Sequence, residues 1–214
     1  METMDFDGLT IGFDEQVLRP RPWTVAQSRW AADLLGAVPD GPVLELCSGA
    51  GQIGLAAVAR NDRSLVCIDL NPVAIEYAER NARTAGLADR VTVRQGRLTQ
   101  EVWRDERFPL VIADPPWVES DETGRFPEDP LGAIDGGTDG LAVARDCLEV
   151  IETHLDEGGA ALLQLGSVDQ VAALMSLGSG SVRCREVRRF DHGVVACLAR
   201  SDQDVASSGS TRSA

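Results

Sequence analysis

Between Gly41 and Arg200, short apolar runs rich in β-branched residues alternate with longer stretches of helical periodicity. That alternation leaves few architectures open, because strand, helix and strand in succession pack as parallel units with helices on both faces of one sheet. Seven runs read as strands: VLELC (43–47), SLVCID (64–69), RVTVR (90–94), LVIAD (110–114), AALLQL (160–165), VRCREV (182–187) and GVVACLA (193–199). AALLQL is apolar on both faces, as a central parallel strand is. The last two runs complete the sheet as an antiparallel hairpin at one edge. The spacing predicts an α/β fold with a doubly wound, mostly parallel, seven-stranded sheet. Ligands of such sheets sit at the carboxyl ends of the strands.

The helices announce themselves by their caps. Asn71-Pro72 places an N-cap before a proline at the first helical position, and VAIEYAERNARTA then runs to Gly86, a natural C-cap. Asp139-Gly140 opens a helix in which Leu141, Ala144, Leu148, Ile151 and Leu155 recur at helical spacing. Ser167 and Gln170 form a capping box for a helix ending near Gly178. One further helical segment, WTVAQSRWAADLL (23–35), precedes the first strand. The chain divides into an N-terminal segment and helix (1–40), one α/β domain (41–200) and a polar Ser/Gly-rich tail (201–214) expected to be disordered.

Charge and side-chain inventory exclude several functions. The formal net charge is −14 over 214 residues, which argues against a broad nucleic-acid footprint held by counterion release. The basic residues are all arginine, which is read as coding bias and not as recognition. The cysteines number five and form no C-x-x-C pair. Cys67, Cys184 and Cys197 lie in apolar runs and read as buried, reduced thiols; Cys47 and Cys147 complete the set. With only His154 and His192 besides, no zinc constellation forms and no metal is expected. No G-x-S-x-G elbow supports a serine hydrolase. No apolar run approaches the ~18 residues of a transmembrane helix. The acidic start (Glu2, Asp5, Asp7) is no signal peptide, so a cytoplasmic protein without membrane partners is expected.

Two constellations carry chemistry. In LELCSGAGQIG (44–54), Glu45 precedes a turn in which Gly49, Gly51 and Gly54 give a G-x-G-x-x-G spacing. That spacing alone suits a dinucleotide enzyme equally well. Asp69 follows about 20 residues beyond, at a strand end where a carboxylate can accept both ribose hydroxyls. Since Asn71 caps the next helix, Asp69 is free for that task. Together these residues indicate a nucleoside-binding, Rossmann-like domain. The second constellation is Asp114-Pro115-Pro116-Trp117, at the tip of LVIAD: an acid, two fixed φ angles and a large flat ring.

In this order, the chain resembles the class I S-adenosylmethionine-dependent methyltransferases, and more narrowly the release-factor glutamine methyltransferase family. VLRPRPWT (17–24) is similar to that family's Pro-Arg-Pro-x-Thr segment, ELCSGAGQIGL to its cofactor loop, and IDLNPVAIEYAERNA to its ribose-binding strand and helix. IADPPWV stands where the family has Asn-Pro-Pro-Tyr, AIDGGTDGLAVAR (133–145) resembles its Gly-Gly-x-Asp-Gly helix start, and LLQLGS its next strand. The resemblance implies S-adenosylmethionine as cofactor. Cys47, Ser48, Gly49, Ala50 and Gly51 would wrap its methionine part, beside Glu45. Asp69 and Leu70 would meet its ribose, Arg97 and Leu98 its adenine, and Asp114 its sulfonium. Arg21 and Thr24 would lie on the segment covering the pocket, and Asp114 to Trp117 would face the acceptor nitrogen.

Three departures stand out. Asp114 and Trp117 replace Asn and Tyr. Arg97 occupies a position where an acid commonly meets the adenine amino group, a hydrogen bond arginine cannot accept. The family's N-terminal helical domain has no counterpart before the first strand beyond one helical segment.

The tetrad suits a planar nitrogen. The lone pair of an amide or an exocyclic base amine is delocalised, so methyl transfer requires the nitrogen to be turned and its developing positive charge stabilised. The Asp114 carboxylate and the Pro115 carbonyl can both accept from an NH2 group, and the prolines remove N–H donors from the loop. Trp117 offers a face for stacking. Asp-Pro-Pro-aromatic also resembles the tetrad of adenine-N6 methyltransferases, and Arg183, Arg185, Arg188 and Arg189 could meet their phosphates. Those arginines alternate with Val182, Cys184 and Val187, however, as the solvated face of a strand does. The framework and the net charge favour a protein partner whose glutamine amide is methylated. A base methyltransferase acting on RNA or DNA is the alternative. A small-molecule N-methyltransferase would be favoured by a pocket closed by Arg21, Trp23 and Phe126, and Arg97 would suit a non-catalytic S-adenosylmethionine-binding module.

Overall fold

In the computed structural model, which describes residues 1–201, the chain opens with an antiparallel hairpin of β1 (Glu2–Phe6) and β2 (Leu9–Phe13). The turn residues Asp7 and Gly8 both have positive φ, 51° and 87°. Asp-Gly is a favoured pair for such tight turns. This hairpin lies outside the single helical segment expected before the first sheet strand. Its signal is the Asp7-Gly8 pair, and it buries Phe6, Ile11 and Phe13.

The main sheet contains β3 (Val43–Leu46), β4 (Leu65–Asp69), β5 (Val91–Gln95), β6 (Phe108–Ala113), β7 (Leu155–Leu165), β8 (Val182–Phe190) and β9 (Gly193–Arg200). Their order is β5-β4-β3-β6-β7-β9-β8. The first five are parallel neighbours, and β9 pairs antiparallel with both β7 and β8. The seven-stranded sheet with an antiparallel edge is as expected. From β3 the chain steps outward through β4 and β5, then returns to β6 on the other side of β3. The crevice at the carboxyl ends of β3 and β6 is therefore the topological switch point.

Helices cover both faces. On one, α1 (Val25–Leu34), α2 (Gln52–Val58) and α3 (Pro72–Thr84) bury Trp30, Ala31, Ala57 and Tyr77 against Val43, Leu110, Ile112 and Leu162. On the other, α4 (Leu98–Glu101), α6 (Ala142–His154) and α7 (Val168–Leu177) bury Leu98, Leu148, Ile151 and Leu174 against Leu44, Leu46, Val111 and Leu163. Successive residues of one strand thus serve opposite cores, which is why the central runs are apolar throughout. A short helix, α5 (Leu131–Ile134), lies in the long connection after β6. Among the described residues no helix is long and apolar enough to cross a membrane.

Local differences have local causes. Leu155 is not the last turn of α6 but the first residue of β7, where it pairs with Phe108 and is still buried. Cys184 is only half-buried, unlike Cys67 and Cys197, because it sits on edge strand β8 beside a register shift. Arg183, Arg185, Arg188 and Arg189 are all exposed. Arg188 pairs with Glu186 and lies over the Trp30 ring at 3.6 Å. The tail expected to be disordered, apart from Ser201, lies outside the described residues.

Candidate functional site

The loop after β3 is held before any ligand reaches it. Gly49 and Gly51 have φ of 52° and 78°, and Cys47 takes 56° without being glycine, a conformation that costs energy and concentrates at functional sites. Asp69 at the end of β4 accepts from Gly49 N–H through Oδ2 (2.8 Å) and from Asn71 N–H through Oδ1 (2.9 Å). Asp69 is therefore not free in the way its neighbour's cap suggested, since the carboxylate also braces the glycine loop. Buried Asn81 of α3 donates to Ala50 O (2.9 Å) and exchanges hydrogen bonds with Gly12 of the hairpin. Glu45, 2% exposed, lies beneath the loop and accepts from Gly54 N–H (2.9 Å) and the Cys67 thiol (3.4 Å).

The ordinary expectation for such a site is a cationic ligand. Glu45, Asp69 and Asp114 stand at the carboxyl ends of β3, β4 and β6, which are neighbours in the sheet, and among the described residues none is ion-paired with an arginine. Burial pushes the Glu45 carboxyl up to about 8; the Gly54 N–H and Cys67 thiol oppose the rise, and Asp114 and Asp69 add to it. Burial alone pushes Asp114 up to about 7. Asp69 is raised by burial and pulled back by the N–H groups of Asn71 and Gly49. A molecule carrying both a sulfonium and an ammonium supplies the missing positive charge. A Cβ built on Gly49 meets nothing within 4 Å, so the outer face of the loop is open to it. Beyond Asp69, Leu70 is 67% exposed and presents an apolar surface. S-adenosylmethionine fits this donor set, and Cys47 to Gly51, Asp69, Leu70 and Asp114 are the residues that would hold it. Arg97 is exposed at the start of α4, whereas Leu98 is buried in the core.

On the other side of the switch point Asp114 opens into a cavity of about 470 Å³. Pro115, Pro116 and Trp117 line it together with Arg21, Trp23 and Thr24 from the segment before α1, Phe126 and Asp129 from the connection after β6, and His192 from the β8–β9 turn. Arg21 is ion-paired with Asp129 across the opening. Thr24 donates to the Arg21 carbonyl (2.9 Å), and Trp23 stacks on His192 at 4.3 Å between ring centres. Arg21 and Thr24 thus line this cavity beside the tetrad. A larger hollow of about 810 Å³, between Arg107, Leu155 and Arg200, lies at the amino-terminal edge of the parallel strands, away from the loop and tetrad.

Trp117 is positioned by the strand and helix that follow. A Cβ on Gly166 would fall 2.6 Å from the Trp117 ring, so only glycine lets the indole lie there. Gln170 donates from Nε2 to Trp117 O (3.0 Å) and accepts from Gly166 N–H (2.9 Å). Ser167 does cap α7 by accepting from Gln170 N–H, but the glutamine side chain spends its reciprocal bond on the site.

Asp114 makes no side-chain hydrogen bond among the described residues. The same holds for Gln164, which is 5% exposed and lines the cavity. Gln164, Asp129 and His192 were not singled out from the sequence. For Gln164 a signal exists: it is the one polar residue in AALLQL. Asp129 and His192 reach the cavity through long connections that sequence pattern does not place. Among the described residues no group of three or more His, Cys, Asp or Glu side chains could hold a metal ion.

Known proteins resemble this chain in sequence and in fold. Residues 28–126 match the methyltransferase small domain family. The release factor glutamine methyltransferase of Clostridium acetobutylicum is 31% identical over 173 residues, 78% of this chain and 61% of that protein. The ribosomal protein uL3 glutamine methyltransferase of Bradyrhizobium diazoefficiens is 33% identical over 172 residues, 74% of this chain and 54% of that one. The chain thus spans between about half and three-fifths of these relatives. Among solved structures, the hMettl16 catalytic domain in complex with an MAT2A 3′UTR hairpin superposes with a TM-score of 0.67 at 18% identity, covering 92% of this chain and 77% of that one. Ribosomal protein L11 methylase from Lactobacillus delbrueckii subsp. bulgaricus gives 0.65 at 15% identity, covering 86% and 82%. Residues 28–126 thus match the methyltransferase small domain, the fold is that of these solved methyltransferases, and over about three-quarters of its length the chain resembles the release-factor and uL3 glutamine methyltransferases.

Proposed function

We propose that this protein is an N-methyltransferase acting on a planar NH2 group, the side-chain amide of a glutamine in a protein. The observation that carries the reading is the Asp114 carboxyl. It is raised by burial to about 7, makes no side-chain hydrogen bond among the described residues, and opens into a cavity walled by two prolines and a tryptophan. Half-buried and bordering the cavity, the carboxyl is open to a hydrogen-bonding partner that arrives with the substrate.

Bound S-adenosylmethionine supplies a methyl group on a positively charged sulfonium. The chain's task is to orient the nitrogen and bear the charge that develops there. Ionised Asp114 and the Pro115 carbonyl accept the two amide hydrogens, which turns the nitrogen's lone pair out of conjugation. The same two acceptors stabilise the positive charge on nitrogen, a contribution worth more in a water-poor cavity than in solution. Pro115 and Pro116 bring no competing N–H donors. Trp117 packs flat beside the acceptor. Once nitrogen carries the methyl group it sheds one proton, and a carboxylate near 7 is matched to receive it.

One observation favours a second reading. Arg21, Trp23 and Phe126 all line the cavity, the arrangement expected of an enzyme that closes over a small amide or amine. Both readings are tested by transfer of labelled methyl from S-adenosylmethionine into a host lysate divided into protease-sensitive, nuclease-sensitive and small-molecule fractions. The proposal expects label in protein. Label confined to small molecules supports the second reading, and label in nucleic acid overturns both.

A further inference from the structure

Ionised Asp114 can only accept hydrogen bonds. It serves the NH2 end of an amide and leaves the carbonyl end unserved, a need that an asparagine at this position could meet and an aspartate cannot. The tetrad's prolines have no N–H to give. Arg21 places its Nη2 on Asp129, and Gln27, buried on α1, spends its Nε2 on Ala113 O (3.1 Å) and Leu162 O (3.3 Å).

Gln164 stands where the missing donor is needed. β6 and β7 are parallel neighbours, and their register pairs Ala113 with Leu163. One residue further along each strand come Asp114 and Gln164, side by side at the carboxyl edge. Parallel neighbours in register point their side chains to the same face, about 4.8 Å apart. Gln164 is 5% exposed, borders the same cavity as Asp114, and its side-chain amide makes no hydrogen bond among the described residues. In a strand whose other side chains from Ala160 to Leu165 are buried and apolar, this polar side chain borders the cavity and has no hydrogen-bond partner among the described residues, which leaves its amide open to a ligand.

We propose that Gln164 donates from Nε2 to the carbonyl oxygen of the acceptor amide, so that Asp114 and Gln164 together read the donor and acceptor ends of one carboxamide. The inference rests on the glutamine-amide reading above. It makes Gln164 a specificity residue: an ammonium group has donors only and gains nothing from it, whereas a carboxamide needs it. The bond to oxygen is strongest before transfer, because the carbonyl loses negative charge as nitrogen's lone pair is withdrawn. Its loss is therefore felt in binding more than in the chemical step.

The test compares wild type, Gln164→Met, which preserves volume, and Gln164→Glu, which preserves shape but not the donor. Substrates are a glutamine peptide and the same peptide carrying an ornithine amine. Wild type should methylate the glutamine peptide. Gln164→Met should raise its KM about tenfold with kcat within about threefold, and leave the Kd for S-adenosylmethionine, measured by calorimetry, within about twofold. Gln164→Glu should lower the amide-to-amine ratio of kcat/KM at least tenfold. If wild type leaves the glutamine peptide unmodified, the functional reading fails and takes this inference with it. A KM within twofold of wild type in both variants, or a loss that appears in cofactor Kd instead, overturns the inference alone.

Discussion

The two halves of the site treat their polar groups in opposite ways. On the β3–β4 side, Glu45 accepts from Gly54 and Cys67, and Asp69 accepts from Gly49 and Asn71. On the β6–β7 side, Asp114 and Gln164 border a cavity and make no side-chain hydrogen bond among the described residues. The first half is organised by the fold itself, so a loop with three residues at positive φ is already shaped for a ligand. On the proposed reading the second half holds its hydrogen-bonding capacity for the acceptor, so that strain and bracing would fix where the methyl group is presented and unspent polar groups would choose what receives it.

The contrast is broken most severely at Asp114. Asp114→Ala should lower turnover by about 10²–10³-fold, the usual cost of removing one group that stabilises transition-state charge, while cofactor Kd changes less than tenfold. Asp114→Asn, which still accepts through its carbonyl, should retain activity within about tenfold of wild type. Steady-state kinetics with calorimetric binding separates the two variants, and full activity in Asp114→Ala would remove Asp114 from the mechanism.

Asp69 should fail in the opposite manner. Asp69→Ala leaves the Gly49 and Asn71 N–H groups without their acceptor, at about 1–3 kcal/mol for each group left unsatisfied. It should weaken cofactor binding by ten- to a hundredfold and lower the melting temperature as well. Loss of binding at unchanged melting temperature would mean that Asp69 serves the ligand without bracing the loop.

The smallest effect concerns proton linkage. Glu45 is raised from 4.5 to about 8 and Asp114 from 3.8 to about 7. Each raised carboxyl binds its proton more tightly in the folded state than in the unfolded one. The stability each contributes is fully present below about pH 4 and is lost as pH rises towards 7–8. The ligand-free protein should accordingly melt lower at pH 8.5 than at pH 6, by about 2–4 °C for each kcal/mol lost. Glu45→Gln, neutral and of the same shape, should flatten part of that slope. A melting temperature that rises over this interval contradicts the carboxyl environment described here.

Much of the β3–β4 half was legible in the sequence, and the reason is physical. Its parts are close in the chain, and glycine spacing, a strand-end acid and an Asn-Pro cap are local signals with local consequences. Asp114 to Trp117 were legible for the same reason. The bracing role of Asp69 was not, because it depends on Gly49 across the strand gap. The cavity walls escaped because they assemble from the segment before α1, the long connection after β6 and the β8–β9 turn. Gln170 shows the limit well: its capping position is local and was read, but its bonds to Trp117 O and Gly166 N–H are tertiary. Gln164 stood in plain view as a polar residue in an apolar strand, yet only the β6–β7 register sets it beside Asp114.

The claim that the acceptor is a carboxamide nitrogen is tested most directly by the chemistry of the product. Protein labelled with methyl from S-adenosylmethionine is hydrolysed in strong acid, which cleaves an N-methyl amide into glutamate and methylamine. The account predicts that the label leaves as volatile methylamine once the hydrolysate is made alkaline, which converts the methylammonium ion to the free amine. Label that remains on a non-volatile amino acid, or that resides in nucleic acid, would contradict it.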